Sequence, residues 1–117
     1  MLKNDLEIRT KTFALAIIDL VERLPKTRAG DAVSRQLIRS GTSIGANYRE
    51  ANHAQSREDF IYKVAISTKE ASETEFWLEL ISESQHLRTT GIEGLMNESR
   101  ELLAIFITIG KNANSNR

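Results

Sequence analysis

Residues 34–81, SRQLIRSGTSIGANYREANHAQSREDFIYKVAISTKEASETEFWLELI, decide the fold. The stretch reads as two helices joined by a short polar turn. Before the turn, Val33, Leu37, Ile44, Tyr48 and Ala51 make one apolar stripe at helical spacing. After it, Phe60, Val64, Ser67, Ala71, Thr74, Leu78 and Ile81 alternate steps of four and three, a heptad-like seam with small residues in its middle. Ile61, Ala65 and Thr68 give that second helix another, semi-apolar face. Asn52 to Gln55 form the turn, and Ser56 with Asp59 resembles a capping box. The spacing predicts one helix over 28–54 and a long one over 57–88.

Gly41 and Gly45 lie inside the first of these helices, where each costs about 1 kcal/mol relative to alanine. Ser40, Ser43 and Ala46 surround them, so close approach of another helix is the expected compensation. That helix belongs either to the same chain or to a second subunit. The neighbouring arginines exclude lipid, the setting in which such a strip marks a membrane dimer.

Working outward, a first helix is predicted over 5–24, capped by Asn4 or Asp5 and ended by Pro25, which disfavours helix in the residue before it. Phe13, Ile17, Leu20 or Val21, and Leu24 share its inner face. Beyond the long helix, Gly91 supplies a break, Thr90 and Glu93 repeat the capping pattern, and a fourth helix is predicted over 92–111. Its Leu102, Leu103, Ile105, Phe106, Ile107 and Ile109 exceed one stripe. A helix apolar on every side is buried on every side, and a lone four-helix bundle leaves each helix one face to water. Oligomerisation is the expectation that follows. Residues 112–117 read as a polar, disordered tail.

The chain has 117 residues, one proline and no segment of period-two alternation. The fold class is therefore all-α, a single domain over 1–117, built as an antiparallel up-down-up-down four-helix bundle. With no cysteine, a disulfide framework, a zinc ribbon and a thiol nucleophile are excluded. The N-terminus lacks the apolar core of a signal peptide, and the longest apolar run, Leu102 to Ile107, is far below membrane-spanning length. A cytoplasmic protein with no membrane contact is expected.

Net charge is zero, but it is unevenly placed. Between Arg23 and Arg57 seven bases face two acids, whereas from Val64 onward five bases face eight acids. Either the helices pair their charges with each other or a neighbouring subunit, or the second helix offers a basic face to RNA or DNA. Arg28, Arg35, Arg39 and Arg49 are the candidate phosphate ligands on that face. Folding back near Gln55 sets Arg39 opposite about Glu70 or Ala71, so ion pairing across the hairpin competes with that role. Trp77 could stack on a base, but a tryptophan here reads first as core or interface.

Two Glu-x-x-His pairs, Glu50/His53 and Glu83/His86, carry the i,i+3 spacing used in di-iron bundles. Helix order separates them by roughly 40 Å at 1.5 Å per residue, so they cannot share a metal within one protomer. No nucleophile-elbow pattern and no phosphate-binding glycine loop is present. No metal, no cofactor and no catalytic residue is expected, a metal-dependent bundle enzyme being the remote alternative.

Several pieces together resemble one family. They are Gln36-Leu37-x-Arg39-Ser40, Ser43-Ile44-x-x-Asn47, Glu50-Ala51, Phe60 with Lys63, and Lys69-Glu70-Ala71 through Glu73, Trp77 and Leu78. This combination is similar to the four-helix-bundle proteins first noticed as reading frames in intervening sequences of 23S ribosomal RNA genes. Phe13 and Leu24-Pro25 also fall in family-like positions, whereas Tyr48-Arg49-Glu50-Ala51 departs from a more usual I-A-E-G and suggests a subgroup. The resemblance implies a homopentamer and a distant relation to the bundle accessory proteins of diversity-generating retroelements, which bind nucleic acid and a reverse transcriptase. It implies no settled activity. The expected function is a non-enzymatic, homo-oligomeric interaction scaffold, with Gly41, Gly45, Trp77, Leu103, Phe106 and Ile107 as candidate interface residues. A structural partner of another protein, without nucleic-acid binding, is the alternative.

Overall fold

The computed structural model describes residues 3–115. They form α1 (Lys3–Arg23), α2 (Arg28–Ala51), α3 (Arg57–Glu83) and α4 (Ile92–Ser115), with no strand among the described residues. Loops of four, five and eight residues join them, and links so short make each helix double back on the last. The body measures 47 × 20 × 20 Å, and α3 alone, with 27 residues, spans about 40 Å. One helix length therefore sets the length of the molecule, as an up-down-up-down bundle requires.

Local chemistry moves several helix ends from their expected places. α1 is already helical at Lys3, so neither Asn4 nor Asp5 caps it. Thr27 caps α2, its side chain accepting from the Gly30 amide at 3.1 Å. α2 stops at Ala51, three residues early, because the His53 and Ala54 amides turn inward to the carbonyls three residues back. Ser56 caps α3, accepting from the Asp59 amide at 3.0 Å. α3 ends at Glu83 rather than 88, because Ser84 turns extended (ψ 127°) and the loop returns Leu87 to the core. Gly91, at φ +80°, sits directly before α4, in a left-handed conformation that disfavours any side chain. α4 runs on to Ser115, so most of the expected disordered tail is helical, while residues 116–117 lie outside the described residues.

The core follows the expected stripes, with Leu6 and Thr10 added on α1. The glycine strip meets α1 of the same chain. A Cβ on Gly41 would stand 3.0 Å from Ile17, and one on Gly45 would stand 2.8 Å from the Thr10 hydroxyl. Gly41 is thus buried inside the protomer and does not serve a subunit contact. Between α2 and α3 the thin seam has a second use. Ser67 Oγ donates to the Ile44 carbonyl at 2.9 Å, and the Ser40 and Thr74 hydroxyls meet at 3.0 Å. Small polar residues let these two helices approach while their hydroxyls stay satisfied.

α4 corrects the expectation of all-round burial. Leu102 and Phe106 are buried, and Phe106 packs edge-on against Tyr48 at 5.4 Å between centroids. Leu103, Ile105 and Ile109 are half-buried on the flanks, and Ala104 and Thr108 face out. One bundle absorbs most of the apolar arc, so Phe106 is core and no interface residue. Of its large apolar side chains among the described residues, Ile107 is the exposed one, at 40%. α1 and α4 touch least of the neighbouring pairs. Arg9 clamps them, its Nε and Nη2 donating to both Glu98 carboxylate oxygens at 2.7 and 2.8 Å, and Nη2 also to Glu101 at 3.0 Å.

Candidate interaction surfaces

The four candidate phosphate ligands do not form one free row. Arg39 Nη2 donates to Glu73 Oε2 at 2.6 Å, and its Nη1 lies 3.5 Å from Glu70 Oε1. The height expected from the turn is the height observed. Trp77 Nε1 donates to the same Glu73 oxygen at 3.1 Å. That bond from Trp77 holds the Glu73 carboxyl below its usual range; burial opposes it, and Arg39 adds to it. Glu70 is nearly buried, and its Oε2 has no hydrogen-bond partner. Arg49 stands 3.8 Å from Glu7, a loose pair. Arg28 and Arg35 are exposed and have no acidic partner among the described residues.

Among the described residues no three His, Cys, Asp or Glu side chains group as metal ligands. His53 lies at the α2–α3 turn and His86 in the α3–α4 loop, at opposite ends of the bundle. Two grooves mark the surface. One, of 910 Å³, runs between α1 and α2 over a floor of Ala14, Gly45 and Ala46. Its rim mixes both signs, and Lys63 pairs there with Glu50 at 2.8 Å. The other, of 620 Å³, lies at the end of the bundle where α1 begins and is lined from all four helices, by Leu6, Tyr48, Phe60 and Ile105 among others.

The largest unused chemistry is apolar and faces outward. On α1, Ile8, Leu15 and Ile18 are 62%, 55% and 38% exposed. On α3, Tyr62, Phe76 and Leu80 are 62%, 51% and 36% exposed. None of the six was a candidate from sequence. The signal was there, in seven-residue steps from Ile8 to Leu15 and from Tyr62 through Lys69 to Phe76. The inner seams of the same helices masked it. Of the sequence candidates, Leu103 and Trp77 are half-buried against the core, and Gly45 is half-buried against Thr10. Phe76 packs edge-on against Trp77 at 5.0 Å between centroids, a contact that favours the rotamer it holds. No helix among the described residues is long and apolar enough to cross a membrane.

Comparison with known proteins agrees with this architecture. The sequence pattern of the 23S rRNA-intervening sequence proteins matches residues 4–108. A crystal structure of a protein of unknown function, from the S23 ribosomal protein family of Bacteroides thetaiotaomicron, superposes with a TM-score of 0.84. The two sequences are 42% identical over 95% of this chain and 99% of that one. No curated protein matches the chain.

Proposed function

The chain belongs to the 23S rRNA-intervening sequence protein family, and from that premise we propose that it works as a self-assembling scaffold with no catalytic chemistry of its own. One observation carries the reading. A bundle whose core is complete still exposes two stripes of large apolar side chains, on α1 and on α3. Soluble monomers rarely leave such stripes open to water, and stripes of this kind mark association. The family resemblance suggests five copies.

Mass by light scattering tests it. An assembly of several 13.2 kDa chains at micromolar concentration is the expected result, and a monomer at that concentration would end the proposal.

Arg28 and Arg35 favour a secondary role in binding RNA or DNA, because of the four candidate arginines these two have no acidic partner among the described residues. A shift assay at low salt should show binding that Arg28→Ala with Arg35→Ala weakens. Absence of any shift by the wild-type protein removes this role and leaves the scaffold.

A further inference from the structure

We infer that the outer stripe of α1 in one copy docks against the outer stripe of α3 in the next, side by side and parallel; the inference rests on the self-assembly reading and names the surfaces that meet. Both helices start at the same end of the bundle and finish at the other, α1 at Arg23 and α3 at Glu83. Their starts are 54 residues apart and their ends 60, so residues 54 to 60 apart in sequence lie at about the same height. When neighbouring copies stand side by side with their bundles parallel, heights are preserved.

The stripes fit at that height. On α1 the outward positions are Ile8, Lys11, Leu15, Ile18 and Glu22, in steps of three and four. On α3 they are Lys69, Phe76, Leu80 and Glu83, with the half-buried Glu73 at their edge, again at heptad spacing. Two heptad faces of this kind interlock side by side. Setting Leu15 against Phe76 also sets Ile18 against Leu80 and Lys11 against Glu73. All three pairs, 61 or 62 residues apart, lie within two residues of the 60-residue offset at the Arg23–Glu83 end of the helices. The charges of the middle pair are complementary. Lys11 has no acidic partner in its own protomer among the described residues. Glu73 receives both of its hydrogen bonds on Oε2 alone, leaving Oε1 for a neighbour. Phe76, packed edge-on against Trp77, is the anchor of the contact, since that packing lowers the rotamer freedom lost on association. At the loop end the same register sets Glu22 near Glu83, a like-charged pair at a solvent edge where salt screens it.

Such an interface joins two different surfaces, so each copy has one of each to offer. That property supplies the test. Leu15→Glu blocks the α1 face and Phe76→Glu the α3 face; both sites are exposed, and circular dichroism checks that each variant folds. Each variant alone should drop to a monomer in light scattering. An equimolar mixture should form a one-to-one dimer through the remaining intact pair. As a second measurement, the cysteine-free chain permits Leu15→Cys and Phe76→Cys. Neither should cross-link with itself on oxidation, and the two together should. A wild-type monomer defeats both this inference and the scaffold reading. A wild-type assembly whose variants stay assembled, whose mixture gives no dimer, or whose single-cysteine variants cross-link with themselves defeats the inference alone.

Discussion

At the scale of single residues, three glycines in helices face three different surroundings. A Cβ on Gly30 would lie 1.8 Å from the Pro25 carbonyl oxygen, a backbone atom that cannot step aside without moving the α1–α2 loop. Gly30→Ala should lower stability by about 2–3 kcal/mol in a urea titration, the range of a severe overpacking. At Gly41 the obstacle is the Ile17 side chain at 3.0 Å, and alanine also gains about 1 kcal/mol of helix propensity. The expected outcome of Gly41→Ala is a smaller loss, about 1 kcal/mol, and Gly41→Ala combined with Ile17→Ala should cost less than the sum of the two single losses. Gly94 has nothing within 4 Å of a Cβ, so Gly94→Ala should stabilise by about 0.5–1 kcal/mol. The sequence marked the cost of Gly41 and Gly45 in a helix. It gave no sign of Gly30, because the Pro25 oxygen comes near only after the loop has closed.

At the scale of elements, the α2–α3 hairpin is locked in register by Arg39, Glu73 and Trp77. The Glu73 carboxyl titrates below its ordinary value near 4.5, through Trp77 first, with burial opposing and Arg39 assisting. A depressed folded pKa means that its stabilisation is complete above the unfolded value and is lost as pH falls through the folded one. Thermal stability should therefore decline below about pH 4.5, and Glu73→Gln should flatten that part of the curve while lowering stability at pH 7. Equal slopes in the two proteins would discount the pair. The α1–α4 seam depends on a different device. Its helices touch least, and Arg9 with Glu98 is the two-bond clamp across them. Arg9→Ala should cost about 1 kcal/mol by denaturant titration, since the groups are only part-buried. The hairpin register was legible in the chain because a five-residue turn fixes which residues face each other. The Arg9 clamp was not, because it joins residues 89 apart that only closure of the bundle brings together.

At the scale of the whole molecule, two features decide how it meets others: the apolar outer faces of α1 and α3, and the pairing state of its arginines. A charge placed on the outer face of α1, as in Ile18→Glu, should shift the assembly toward monomer while changing the melting temperature of the folded protomer little. Differential scanning fluorimetry beside light scattering reads both quantities. The same substitution at Ile17, which is fully buried, should unfold the chain instead. Adjacent residues thus report opposite sides of one helix. On α3, apolar residues lie on both the inner seam and the outer stripe, and periodicity alone does not say which set the bundle will take.

The number of helices, their order, the inner stripes and the α2–α3 register were determined by the sequence itself. These follow from local propensity, short-range spacing and a short turn, all of which act between near neighbours in the chain. Tertiary structure alone decided that α3 stops at Glu83 so that Leu87 can enter the core, and that the glycine strip receives α1 of its own protomer. It also decided that α4 spends most of its apolar arc inside one bundle. Each of those outcomes depends on which surfaces compete for the same buried space, a question settled only when all four helices are packed and the faces left to water are known.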